Sequence, residues 1–141
     1  MAANTQPIFP VSPNVSGGKV ITADTSYETP TTNPVTVFTA GTNGSRIDAI
    51  KARALGTNID TVLRLFVHDG ASAYYLAYEI QLAASTAAAD DITGTDVDLL
   101  RDTGYEAMPV IPYLPASYEI IATVGTTVAT GWMVTVFGGD Y

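Results

Sequence analysis

Apolar and polar residues alternate with a period of two through the C-terminal part of the chain. Tyr118, Ile120, Ala122 and Val124 alternate with Glu119, Ile121 and Thr123. After Gly125-Thr126-Thr127, Trp132, Val134 and Val136 alternate with Met133, Thr135 and Phe137. The pattern predicts a strand, a turn and a strand, one β-hairpin between Leu114-Pro115 and Tyr141. Both faces of its second strand are largely apolar, so both must be covered, either by a second sheet or by another subunit. No tail is expected after the ending Gly138-Gly139-Asp140-Tyr141.

The same period runs through the middle of the chain. Arg46 to Leu55, Thr61 to His68 and Ala73 to Leu82 read as three consecutive antiparallel strands, joined at Gly56 to Asp60 and at Asp69-Gly70. In the second, Leu63, Leu65 and Val67 face one way and Val62, Arg64, Phe66 and His68 the other. In the third, Tyr74, Leu76, Tyr78 and Ile80 face the core while Tyr75, Glu79 and Gln81 face out. Shorter strands are expected at Lys19 to Thr25, Val35 to Ala40 and Thr95 to Leu100, with a Thr/Pro loop from Tyr27 to Pro34 and a short helical turn from Ala83 to Ala89. Met108 to Tyr113 is a broken strand, because Pro109 and Pro112 deny it ladder donors and confine it to an edge or corner.

Residues 1 to 18 hold Pro7, Pro10, Pro13 and Gly17-Gly18 and are expected to form an extended arm. Its apolar residues Ile8, Phe9 and Val11 either tuck against the chain's own sheet or reach a neighbouring molecule. No fixed-period repeat or internal boundary interrupts residues 19–141. Short, regularly spaced strands with turn signals between them predict an all-β fold, an antiparallel β-sandwich of jelly-roll type with an N-terminal arm.

Composition narrows the chemistry. A chain of 141 residues is one domain long and buries roughly 70% of its unfolded surface without staples. It has no cysteine, which removes disulfides, thiolate metal sites and cysteine nucleophiles. A formal net charge of -8 with six basic residues argues against general nucleic-acid binding and against anionic membranes. The N-terminus shows no basic segment followed by an apolar one, so no secretory signal is read. Residues 120–139 carry no charge, but their period of two and their Gly and Thr residues reject a membrane helix.

Candidate reactive groups are few. His68 is the only histidine and stands at a hairpin tip without partners for catalysis or metal binding. The acidic run from Asp90 to Asp98 lacks the Gly and Glu spacing of an EF-hand loop, and Gly41-Thr-Asn-Gly-Ser45 lacks the Lys and helix of a phosphate loop. Asn14-Val-Ser16 and Asn43-Gly-Ser45 match the glycosylation pattern at the frequency chance provides in such a chain. Glu79 and Glu119 are the only acids within well-defined strands, and they make no opposed pair for glycoside hydrolysis. An enzyme is therefore not expected, and no cofactor is implied. The charges are segregated: Arg46, Lys51, Arg53 and Arg64 lie within 46–64, and six acids lie within 90–106. Either this is a solvated face with Arg64 paired to Glu79, or a basic patch on one copy meets the acidic segment of another.

Several segments resemble small virion proteins of tailed bacteriophages: Met1-Ala-Ala-Asn-Thr-Gln-Pro-Ile-Phe-Pro10, Val37 to Asp48, Arg53 to Val67, Leu114-Pro-Ala-Ser-Tyr118, Gly131-Trp132 and Gly138-Gly-Asp-Tyr141. Within that class the chain is most similar to capsid decoration, or cement, proteins. The resemblance implies a β-sandwich homotrimer on the outside of the virion that binds the major capsid protein and stabilises contacts between its subunits, made in the host bacterial cytoplasm. Residues expected to touch the partner are Ile8, Phe9, Pro10 and Val11 of the arm and Arg46, Lys51 and Arg53 of the basic patch. The competing expectation is a tail- or fibre-associated sandwich that binds host carbohydrate through Tyr74, Tyr75, Tyr113 and Trp132.

Overall fold

The computed structural model describes residues 9–86, 93–102 and 107–141. Eleven strands are present among them: β1 (Ser12–Val20), β2 (Val35–Thr39), β3 (Ser45–Ala54), β4 (Thr61–His68), β5 (Tyr74–Leu82), β6 (Asp96–Asp98), β7 (Leu100–Asp102), β8 (Ala107–Pro109), β9 (Tyr113–Leu114), β10 (Glu119–Val124) and β11 (Trp132–Asp140). Sheet A has the order β1-β11-β3-β6, with β9 added at the Ser45 end of β3. Sheet B has the order β2-β10-β4-β5, and β7 and β8 form a separate ribbon. All strand pairs are antiparallel. The chain changes sheet at most connections and its first long strand lies beside its last, which is the jelly-roll arrangement expected from the sequence.

Two expected hairpins are replaced by crossings between sheets. β10 lies in sheet B and β11 in sheet A, so Gly125 to Gly131 is a bridge rather than a hairpin turn. β3 is likewise in sheet A while β4 and β5 pair in sheet B, which breaks the expected three-strand meander. Each crossing lets a strand with one strongly apolar face turn that face to a common centre. Val20, Ile50, Trp132 and Val134 from sheet A meet Phe38, Leu63, Leu65 and Ile120 from sheet B, all fully enclosed. At about 25 cal/mol per Å² of apolar area, this interior is the main source of stability.

The boundary at Gly18 also moves. Residues 12–18, expected in the arm, form most of β1 and pair with β11 over its whole length, Ser12 opposite Asp140 and Val20 opposite Trp132. β1 is an edge strand, where Pro13 is tolerated, and Gly17 lets the backbone close on β11: a Cβ there would stand 2.6 Å from the Val134 carbonyl oxygen. The first expected strand, Lys19 to Thr25, therefore ends early at Val20.

Bulges shift the faces. One at Ala77 leaves Tyr78 and Ile80 against the core but turns Tyr74 and Leu76, expected inside, to the outer face of sheet B. Another in β3 leaves Asp48 without an opposite residue, since Phe137 faces Ala49 and Gly138 faces Ile47. Residues 83–86 are not helical; Ser85 makes an isolated bridge to Asn58, and the rest of the expected helical turn lies outside the described residues.

The outer face of sheet B is largely closed by the connection from β1 to β2. Ala23 bridges Val124, and the Asp24 carboxylate accepts from the backbone amides of Ser26, Thr32 and Asn33. Arg64, expected on a solvated face, is buried here. Its Nη1 donates to the Asp24 carbonyl and its Nη2 to the Tyr27 hydroxyl, the Tyr27 ring lies 4.1 Å from the guanidinium carbon, and Nε meets Glu79 at 3.3 Å. The expected cross-strand Arg64–Glu79 pair is thus present, with a buried cation at its centre.

Candidate functional site

The outer face of sheet A has no such cover among the described residues. Its rows run across β1, β11, β3 and β6: Val15, Phe137 and Ala49; then Gly17, Thr135, Lys51 and Asp98; then Lys19, Met133, Arg53 and Asp96. Alternate residues of β11, Trp132, Val134 and Val136, are fully buried inside, so Met133, Thr135 and Phe137 are the outward set. The second apolar face of this strand, expected to be covered by a second sheet or by another subunit, carries no second sheet among the described residues. Val11 is 79% exposed, Val15 60% and Phe137 39%, a step of apolar surface beside the start of β1. Phe9 is also largely exposed, while Pro10 rests on Gly139, whose added Cβ would meet the Pro10 Cβ at 2.7 Å.

The three basic residues expected to touch a partner all project from this face. Arg46 pairs with Asp48 at 2.9 Å and Lys51 with Asp98 across the β3–β6 register at 3.1 Å. Arg53 stands opposite Asp96 and, like Lys19, makes no ion pair among the described residues. Both observed pairs are about half exposed, where such pairs contribute roughly 0–1 kcal/mol. Asp96 and Asp98 of the acidic segment are thus neighbours of the basic patch within one chain. Arg64, the fourth basic residue of the 46–64 cluster, lies in the other sheet. Ile8 lies outside the described residues.

The sheet edges are poor places for strand addition. β1 carries Pro13 and Gly17-Gly18, β2 has five residues and packs beside β1, β6 has three residues with Asp96 and Asp98, and β5 is interrupted by the bulge at Ala77 and carries Glu79. Each is a device that discourages edge-to-edge pairing.

One end of the sandwich is held by acids that look like candidate sites and act as fasteners. The Asp140 carboxylate accepts from the Ser45 hydroxyl and from Asn14 Nδ2. Burial raises its pKa, but those two donors and the Gly41 amide outweigh that and hold it below the ordinary aspartate value. Asn14, within one glycosylation pattern, has its amide committed to Asp140 and to the Thr39 carbonyl. His68 Nδ1 lies 3.0 Å from Glu119 and its ring stacks on Tyr74 at 4.3 Å. No group of three or more His, Cys, Asp or Glu positioned to hold a metal ion occurs among the described residues.

Of the aromatics expected to bind sugar, Trp132 is enclosed in the core and Tyr74 stacks on His68 and meets Phe66 edge to face, leaving Tyr75 and Tyr113 exposed. The signal for the open face was present in the sequence: Met133, Thr135 and Phe137 alternate with buried residues, and Val15 and Val11 share their spacing.

No protein-family model matches the chain, and no curated protein matches it. Among solved structures, a chain of the cyanophage Pam1 capsid asymmetric unit aligns over 99% of this chain and 94% of its own length, at 20% identity and a TM-score of 0.42.

Proposed function

We propose that this chain is a structural virion protein of a tailed bacteriophage that binds the outside of the capsid and stabilises contacts between major capsid protein subunits. The observation that carries the proposal is the outer face of sheet A, an uncovered apolar step of Val11, Val15 and Phe137 bordered by Arg46, Lys51 and Arg53. A small apolar centre with a charged rim is the surface composition of a protein contact. The exposed Phe9 and Val11 extend the step along the chain leading into β1, so that segment and the sheet face act as one surface. The phage-like segments named above supply the virion setting. The contact would work by burying area between capsid subunits, with no chemical step, and binding at many sites would add up over a shell.

Heads assembled without the protein and then incubated with it should take it up, and electron cryomicroscopy should place the outer face of sheet A against the capsid. A form lacking residues 2–10 should bind less well, because Phe9 is lost while β1 remains. Absence of uptake by the intact chain would sink the proposal.

A further inference from the structure

The face of sheet A differs in charge from the rest of the molecule. Among the described side chains it carries four cations (Lys19, Arg46, Lys51 and Arg53) and three acids (Asp48, Asp96 and Asp98), against one cation and seven carboxylates elsewhere. In a chain of net charge -8 the described side chains of this face sum to a weakly positive surface. The two cations that make no ion pair among the described residues share a row: Lys19 and Arg53 flank Met133, about 10 Å apart at two strand spacings. That row lies four residues along β11 from Phe137, about 13 Å from the apolar step. Beside Lys19 opens a groove of about 310 Å³, lined by Lys19, Ile21, Thr22, Asn33, Pro34 and Val35. It contains one cation, no carboxylate and enough room for an acidic side chain.

We infer that the surface docking on sheet A is acidic: a segment of a different protein that sets an apolar side chain on Val15 and Phe137 and carboxylates at the Lys19 groove and over Arg53. This deepens the proposed function, on which it rests, by stating the chemistry of the capsid element. Complementary charge would act mainly on encounter rate and orientation, and burial of the apolar step on retention. A second copy of this chain fits less well, since two such faces packed together would set Lys19 and Arg53 of one against a surface whose described side chains are also net positive.

The test measures binding of the full chain to heads lacking it, from about 0.1 M to about 1 M salt, where the screening length falls from ~10 to ~3 Å. Lys19→Glu/Arg53→Glu should weaken binding about tenfold or more at low salt and flatten the salt dependence, while Lys19→Arg/Arg53→Lys stays close to wild type. Val15→Ser/Phe137→Ser should weaken binding at all salt concentrations. All of these positions are on the open face, and circular dichroism will establish that each variant is folded. Wild-type binding that the double reversal leaves unchanged, or that is insensitive to salt, overturns the inference and leaves the proposed function standing. No binding by wild type overturns both. If the free protein is an oligomer that the double reversal dissociates, a second copy covers this face and the inference fails.

Discussion

Replacing Asn58 by alanine probes a buried joint that holds three loops of the sandwich together. Asn58 is 2% exposed, and its side chain uses all of its hydrogen-bonding capacity. Nδ2 lies 3.1 to 3.3 Å from the Gly131 and Gly56 carbonyls and from Ser85 Oγ. Oδ1 accepts from the Thr130 and Gly131 amides, both at 2.9 Å, and from the Thr130 hydroxyl at 3.0 Å. Gly131 takes φ of +91° at the entry to β11, a conformation that glycine adopts without strain. Alanine at position 58 would strand the buried Gly131 amide at a cost of about 2 kcal/mol and the half-buried Thr130 amide at about 1 kcal/mol. With the lost donor contacts the total is about 3 to 4 kcal/mol, well above a typical surface change.

Urea unfolding is the assay. With m of about 2 kcal/mol/M, the midpoint should fall by about 1.5 to 2 M with m unchanged. Asn58→Asp separates hydrogen bonding from packing, because the aspartate keeps the acceptor but sets a second oxygen against two carbonyls. Its pKa in the folded protein should rise, since only the protonated form can donate. Stability is then greatest below the ordinary carboxylate range and is lost as pH rises through the folded value. A midpoint shift for Asn58→Ala worth less than about 0.5 kcal/mol, or an Asn58→Asp variant equally stable at acid and neutral pH, would refute the reasoning.

Other changes reach different parts of the molecule. Burial raises the pKa of Asp24, but the amides of Asn33, Ser26 and Thr32 and the charge of Arg64 together hold it below 3.8. Its contribution is therefore present above the unfolded value and lost as pH falls through the lower folded one; Asp24→Asn should make acid unfolding below about pH 4 less steep, and an unchanged slope counts against that assignment. Trp132→Ala should cost about 3 to 5 kcal/mol and unfold the free chain rather than merely dissociate an oligomer. Trp132→Phe should cost much less than the alanine change, because the buried indole N–H has no hydrogen-bond partner among the described residues; calorimetry of the two variants distinguishes them. Ser117 has φ of 64° in the turn before β10, so Ser117→Gly should raise the melting temperature slightly or leave it unchanged, and a clear drop would show that its side chain is needed.

The sequence pattern reported strands better than it reported their partners. Alternation marks β3, β4, β5, β10 and β11 within a residue or a few of their ends, because a strand with one buried face must repeat every two residues. It cannot say which sheet a strand joins. Gly125 to Gly131 and Leu55 to Asp60 contain the turn residues of a hairpin, yet both carry the chain from one sheet to the other. The contacts that make the difference are distant ones: Asn58 bonds to Ser85, Thr130 and Gly131, and no local pattern announces them.

Faces were legible only as far as the first bulge. In β5 the one extra residue at Ala77 exchanges inside for outside, so the rule that placed Tyr78 and Ile80 correctly misplaced Tyr74 and Leu76. The bulge at Asp48 has the opposite consequence for the candidate site. Ile47 and Ile50 are three residues apart and both buried, which a strict period of two forbids. With Asp48 unopposed, Arg46 and Lys51 nonetheless emerge on the same outer face as Arg53. The basic row thus owes its continuity to a backbone irregularity, while the apolar step beside it follows from plain alternation in β1 and β11. Both meet on one surface only because the jelly roll places the first and last long strands side by side, bringing Val15 opposite Phe137 across 122 positions of sequence.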